Sequence, residues 1–368
     1  MVLRGEDGSL RRGYLGTDET AGAVKIAVKI AAVLTVRNEG AFLLEWLAHH
    51  RASGVTDFLV FSNDCDDGTD AMLDRLQELG WLTHLRNPGP HSEGPQWAAL
   101  KQADRHPLVS GADWVLPLDI DEFVNVHVGD RTLPALLAAL PEATAITLTW
   151  RVFGNGGVVK YRDAPVTETF THAAPRVLHW PWRAHLFKTL VRNDGRYGKL
   201  GVHRPRAPDV SKLAGQRWFD GSGRELPTAF HRGRIFSDVG RDSLGLVQLN
   251  HYPLGAVESF LLKRDRGRAV HADGGLDAGY WIERNFGVEE DRSILELESR
   301  LTREALHADP MLGPLHQAAV AWRHARFRHL MQEDAWRSLY GQILMAGPAK
   351  VLSRAEAEAI WKPYIGKA

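Results

Sequence analysis

Three carboxylates, Asp119, Asp121 and Glu122, fall together in the stretch "WVLPLDIDEFVNV", residues 114–126. Trp114, Val115, Leu116 and Leu118 before them read as a buried strand, in a run too short for an amphipathic helix. Buried carboxylates are costly unless paired, hydrogen-bonded or bound to metal, so the end of this strand needs a compensating charge. Side chains alternate along an extended chain, which puts Asp119 and Asp121 on one side. Two oxygen ligands on one face suit a hard cation, Mn²⁺ or Mg²⁺, that keeps waters and takes phosphate oxygens. The plain alternative is that Asp119 caps the next segment and the other acids are solvated.

The elements around these acids set the context. "KIAAVLTV" and "DFLVFS" are apolar and β-branched or aromatic, as strands buried on both faces are. Between them "AFLLEWLAHHRASG" has apolar residues at helical spacing and Gly54 as a stop; "DAMLDRLQELG" is a second helix ended by Gly80, "LTHLR" a short strand and "GPQWAALKQADRH" a third helix. Strands alternating with helices imply a parallel, doubly wound α/β sheet. In such sheets ligands bind beyond the carboxyl ends of the strands, and three such ends are polar here: "RNEG", "NDCDDGT" and "DIDEF". Residues 1–24 are expected to be a loose leader, 25–255 the catalytic domain and 256–368 a helical region. "TLPALLAAL" reads as a helix and "AITLTW" as a strand. Residues 151–250, rich in Gly, Pro, His, Trp and Arg, read as irregular cover over a site. "SILELESRLTREAL", "LHQAAVAWRHARFRHLMQ" and "RAEAEAIWKPYI" are expected as helices packing on the first domain.

The 368 residues are 44% hydrophobic and 24% charged, with 45 basic and 45 acidic side chains, which argues against a general nucleic-acid binder. The single Cys65 excludes an internal disulfide framework. "KIAVKIAAVLTV" is too short, and too interrupted by Lys25 and Lys29, for an integral membrane segment. The expected location is cytoplasmic.

"TVRNEGAFLLEWLAHHRASGVTDFLVFSND" followed by "ADWVLPLDIDEFVNV" resembles the family 2-like glycosyltransferases of the GT-A fold, and is closest among them to the bacterial group related to family 92. The resemblance covers about 30–130 and continues more weakly through "WRVFGNGG", "FKTLVR", "HRP" and "NHYPLGAVESFLLKRDRG" to about 268. It implies a GT-A-like doubly wound, mostly parallel sheet flanked by helices, with a C-terminal helical extension. It implies a metal-dependent, hexosyltransferase-type enzyme that moves a sugar from a nucleotide-diphosphate sugar to a glycan, lipid-linked or other hydroxyl acceptor. The cofactor would be Mn²⁺ or Mg²⁺ on the D-x-D motif, with Asp121 the more direct ligand, Asp119 touching ribose or metal, and His251 of "LNHYP" a third ligand.

The same resemblance brings Thr35, Arg37 and Asn38 to the nucleotide, although Asn38 also reads as a helix cap and Glu39 as a buttress of the loop. In ordinary family 2 enzymes the second strand ends in a carboxylate that contacts base or ribose. Here it ends in Ser62 and Asn63, so Asn63 or Asp64 is the candidate, while Asp67 reads as a helix cap. Lys263 and Arg266 lie three residues apart on one helical face. With Lys188 of "FKTLVR" they are candidates to neutralise the leaving diphosphate; a solvated basic face is the alternative. Trp150, Trp180 and Trp182 are either walls for sugar rings or core.

Glycosyl transfer passes through an oxocarbenium-like state, and a base must deprotonate the acceptor hydroxyl. Glu168 of "VTETF" is the first candidate, with Asp220 and Asp273 as rivals; the resemblance implies inversion. Residues 256–275, with Gly274 and Gly275, are expected to close as a lid over the diphosphate. Three other readings compete. A D-x-D phosphatase carries its motif on the first strand, and a sugar nucleotidyltransferase needs a Gly-rich, Lys-bearing first loop. A non-catalytic carbohydrate-binding protein would keep the tryptophans and need no metal.

Overall fold

Ile30–Val36 is apolar on both faces, and all but Thr35 is buried, because helices cover the sheet on either side. It is the first of nine strands in the main sheet of the computed structural model, which describes residues 2–4, 10–12, 28–267 and 276–365. We number them β1 Ile30–Val36, β2 Asp57–Ser62, β3 Thr83–Arg86, β4 Trp114–Leu118, β5 Glu122–Val126, β6 Ala145–Val152, β7 Phe187–Arg192, β8 Trp218–Asp220 and β9 Val247–His251. The order is β3-β2-β1-β4-β7-β6-β9-β5, with β8 also beside β6.

The block β3-β2-β1-β4 is parallel, as expected. β7 runs antiparallel between β4 and β6, so its first residues lie near the last residues of β4. β9 is parallel to β6 and antiparallel to β5. The "DIDEF" carboxylates therefore do not sit together at one strand end. The chain turns at 119–121, and Glu122 opens β5, directly opposite His251 on β9.

Helices α1 Gly40–Ala52, α2 Thr69–Glu78, α3 Pro95–Ala103, α4 Val257–Asp265, α5 Arg300–His307, α6 Leu312–Leu330 and α7 Asp334–Met345 flank the sheet. The segment read as one helix over "SILELESRLTREAL" is a short turn at Ser293–Glu296 followed by α5, and α7 was not expected. α5 and α6 pack on α1, and α7 packs on α4. Gly40 is required by this crossing: a Cβ there would meet Ala319 Cβ of α6 at 2.9 Å. Leu306 and Leu312 share a core cluster with β1 and α1, and Leu339 and Ile343 share one with Leu254, Val257 and Phe260. Residues on both sides of the expected 255/256 boundary thus pack together. Of the expected leader, 2–4 pair antiparallel with 10–12, and the rest of 1–24 lies outside the described residues. Among the described residues no helix is long and apolar enough to cross a membrane.

Candidate active site

The 119–121 turn leaves β4 beside the carboxyl end of β1, at the place where the strand order reverses. Helix α1 pins it from beneath: the Trp46 indole N–H donates to Asp119 O at 3.2 Å and to Glu122 O at 3.1 Å. Asp119 N donates to Glu122 Oε2 (2.9 Å), and Tyr252 N donates to Asp121 O (2.9 Å). Two segments distant in sequence, with the neighbouring Glu122, therefore fix one turn.

Lysines supply the compensating charge. Lys188 reaches Asp119 because the antiparallel course of β7 starts near the end of β4; its Nζ donates to Asp119 Oδ2 at 2.9 Å and lies 3.5 Å from Glu122 Oε2. Gln96, at the start of α3, donates to Asp119 Oδ1 at 2.7 Å. Lys263 of α4 donates to Asp121 Oδ2 (2.6 Å) and to Pro253 O (2.8 Å). Burial alone would raise Asp121, but the Lys263 ammonium, with His251 beside it, outweighs it and holds the carboxyl well below its ordinary range. Burial likewise opposes the charge on both lysines, and the carboxylates outweigh it, so both ammonium groups are held charged.

Glu122 is fully buried. Its Oε1 accepts the Trp150 indole N–H at 2.6 Å. Burial, reinforced by the charges of Asp119 and Asp121 against the pull of Lys188, pushes it up to about 8. His251 Nε2 lies 3.6 Å from Asp121 Oδ2, and its ring lies 4.1 Å from the Trp150 ring centre. Burial pushes its pKa down despite Asp121, which keeps the imidazole neutral at pH 7, the state in which it can be a ligand.

Of the expected metal ligands, Asp121 and His251 are positioned to share a cation. A hard cation that keeps waters and takes phosphate oxygens needs no more than a couple of protein ligands. Among the described residues His251 Nδ1 is buried without a hydrogen-bond partner, so a cation on Nε2 would leave the Nδ1–H unpaired. Both oxygens of Asp119 have protein partners, Gln96 on one and Lys188 on the other. Among the described residues no group of three His, Cys, Asp or Glu side chains converges as a complete metal cage.

Gln96, Asp119, Asp121, His251 and Lys263 line a cleft of about 700 Å³, with Thr35, Arg37, Asn63, Asp64, Trp150, Trp182 and Arg266 in its walls, and Lys188 and Glu122 are buried behind that lining. Asn63 is held for structure: its side chain donates to Val36 O (2.9 Å) and accepts from Asn87 (2.6 Å), tying the ends of β1, β2 and β3. Asp64 Oδ2 accepts from Gly89 N (3.2 Å) at the cleft rim. Asn38, at φ 54°, accepts Asp66 N at 2.7 Å and faces away from this cleft into a second cavity. It does not cap α1. Asp67 ties Gly40 N (3.0 Å) to Thr69 N (2.9 Å), so it joins the starts of α1 and α2. Arg266 pairs with Glu39 and donates to Arg37 O (3.1 Å), which confirms Glu39 as a buttress and fastens the end of α4 to the first loop.

The expected bases do not reach the cleft. Glu168, half exposed, is drawn away to Arg303 at 3.0 Å. Asp220 is buried in β8, where it pairs with Arg224 (2.7 Å) and accepts Ser222 N, closing a turn. Asp273 lies outside the described residues, as do 268–275 of the expected lid; the described part of that segment, α4, is already packed, with Phe260 and Leu261 fully buried. Sequence reading missed Gln96, and it placed Glu122 at the end of the strand before it rather than at the start of its own; His203, which also lines the cleft, was not singled out. A lone glutamine or histidine carries no local signal. The alternation of "EFVNV" was the one available sign that Glu122 begins a strand of its own.

The family model for glycosyltransferase family 92 matches residues 33–210. The chain is 27% identical over 140 residues to the glycosyltransferase family 92 protein Os08g0121900 of Oryza sativa subsp. japonica, covering 37% of this chain and 23% of that one. It is 24% identical over 157 residues to the family 92 protein RCOM_0530710 of Ricinus communis, covering 39% and 26%. It thus spans about a quarter of the length of these curated relatives. Among solved structures, the mannosyltransferase PcManGT from Pyrobaculum calidifontis in complex with GDP-Man and Mn²⁺ overlaps 93% of this chain and 89% of its own, at 13% identity and a TM-score of 0.30. S. aureus TarS 1-349 in complex with UDP overlaps 38% and 39%, at 16% identity and a TM-score of 0.27. Overlaps this loose do not bear on the site.

Proposed function

We propose, from the premise that this chain is a family 92-related glycosyltransferase, that it moves a sugar from a nucleotide-diphosphate donor to a hydroxyl acceptor in the Asp119–Asp121 cleft. The observation that carries this reading is the convergence of Asp121, His251, Lys263 and Lys188 on one turn at the carboxyl edge of the sheet. Thr35, Arg37 and Asp64 hold the nucleotide over the ends of β1 and β2. Mn²⁺ or Mg²⁺, held by Asp121 with His251, would supply Lewis-acid stabilisation of the departing diphosphate. Lys263 and Arg266 place fixed positive charge beside that leaving group, where a partly buried site strengthens it. Trp150 and Trp182 wall the space for the sugar rings.

We assign the base role to His203 rather than to Glu168 or Asp220, which are engaged by Arg303 and Arg224 and do not line the cleft. Its Nδ1–H donates to Phe187 O at 3.0 Å, which leaves Nε2 unprotonated on a ring that lines the cleft beside Trp150. Burial, then the Lys188 charge, push its pKa down to about 4, so it is neutral at pH 7. It accepts the acceptor's proton as the hydroxyl attacks the anomeric carbon from the face opposite the diphosphate, in a single displacement with inversion.

The test is release of nucleoside diphosphate from a panel of UDP-, GDP- and other nucleotide-sugars with Mn²⁺. Release by the wild type and its loss in Asp121→Asn, with an unchanged circular dichroism spectrum, is the expected result. No binding of any nucleoside diphosphate with Mn²⁺, read by thermal shift, would sink the reading.

A further inference from the structure

Behind the donor cleft lies a second cavity of about 610 Å³, within the range of small-molecule sites. Glu39, Ile120, Asp121, Lys263 and Arg266 line both spaces and form the wall between them. The second cavity is otherwise walled largely by apolar and aromatic side chains, among them Phe42, Phe170, Tyr252 and Leu254.

Five cations line this cavity, Lys160, Arg162, Lys263, Arg266 and Arg323, and Arg323 is the most deeply buried of them. Arg323 of α6 is only 4% exposed, yet it lines the cavity. Its guanidinium carbon lies 4.5 Å from the Phe42 ring centre and 4.8 Å from that of Tyr161. Its Nε is buried with no hydrogen-bond partner, and among the described residues no carboxylate lies in ion-pair range. Asp67 and Glu258, which contribute only a distant field, are already used, the first by Gly40 N and Thr69 N and the second by Tyr161 N at 3.0 Å. The contrast with the same helix is direct: Arg326, one turn on, makes two 2.7 Å bonds to Asp265. A buried charge without a partner is costly, and aromatic faces offset only part of that cost.

We propose that this cavity is a binding site for an organic anion with an apolar body. Arg323 takes the acid group, and the body lies against Phe42, Tyr161, Phe170 and Tyr252. A guanidinium stacked on rings keeps its N–H fork fixed in orientation, which suits a carboxylate, sulfonate or phosphate monoester. The site is separate from the donor reading: it needs neither a nucleotide nor a divalent cation, and it stands or falls without turnover.

The experiment uses two fluorescent probes on the full chain without metal or nucleotide: anilinonaphthalene sulfonate, and its neutral counterpart phenylnaphthylamine. The expected result is saturable binding of one sulfonate probe per chain. Arg323→Met should weaken the sulfonate by roughly tenfold or more, the scale of a lost charge-assisted hydrogen bond, and leave the neutral probe within about twofold. Arg323→Lys, which keeps a charge, should fall between. Arg323→Met should also raise the melting temperature of the free protein while losing the upward shift that the sulfonate gives the wild type. Trp182→Ala, on the donor-cleft wall, should change neither probe. Sulfonate affinity unchanged in Arg323→Met overturns the proposal. So does loss of both probes alike in the two Arg323 variants, or loss in Trp182→Ala, which would put the probe in the donor cleft.

Discussion

On the proposed reading, Lys263 and a divalent cation share the same carboxylate. The Lys263 ammonium lies 2.6 Å from Asp121 Oδ2, the oxygen that also faces His251 Nε2 at 3.6 Å. In the free protein the lysine therefore competes with the metal, and Lys263→Met should tighten Mn²⁺ binding in the absence of nucleotide. A hydrogen bond to a charged group contributes about 1.5–3 kcal/mol. Both side chains are about a fifth exposed, 21% and 22%, so solvent screening favours the lower end. About 1.5–2 kcal/mol corresponds to roughly 10- to 30-fold in the dissociation constant. The assay is titration of free Mn²⁺ by electron paramagnetic resonance, with Asp121→Asn in both backgrounds as the control that abolishes binding. With nucleoside diphosphate present the direction should reverse for the nucleotide, which loses a cation partner. Unchanged or weaker Mn²⁺ binding in Lys263→Met would refute the assignment of Asp121 as the metal ligand.

Three further outcomes follow from the same geometry. Glu122 has a folded pKa near 8 against 4.5 unfolded, so the folded state binds the extra proton and stability falls as pH rises through that window. Between pH 6.5 and 8 the difference between wild type and Glu122→Gln in urea-unfolding free energy should change by up to about 2 kcal/mol; the buried histidines act on both proteins and cancel. His203→Gln should lower kcat by about 10²- to 10⁴-fold with little change in nucleotide affinity, whereas Glu168→Gln should leave kcat within about twofold. Trp46→Phe removes the indole N–H that holds Asp119 O and Glu122 O; it should cost about 1–3 kcal/mol in unfolding free energy and raise the donor KM, as unpaired buried carbonyls loosen the turn.

The local chemistry was written in the chain. "IAAVLTV" and "DFLVFS" can be buried on both faces only as inner strands, and "LPLDID" can end such a strand only if something answers its charge. The parallel block β3-β2-β1-β4, the cleft at its carboxyl edge and the resemblance to GT-A glycosyltransferases were legible for that reason, since each depends on neighbours a few residues apart. What answers the charge was not legible. Lys188 meets Asp119 because β7 turns antiparallel beside β4, and His251 meets Glu122 because β5 crosses to β9, partners separated by 69 and 129 residues. Glu168 looked equally suitable as a base until Arg303 of α5 drew it away. Burial and pairing of a charge are set by which elements pack together across the whole fold, and periodicity along one segment contains no record of that.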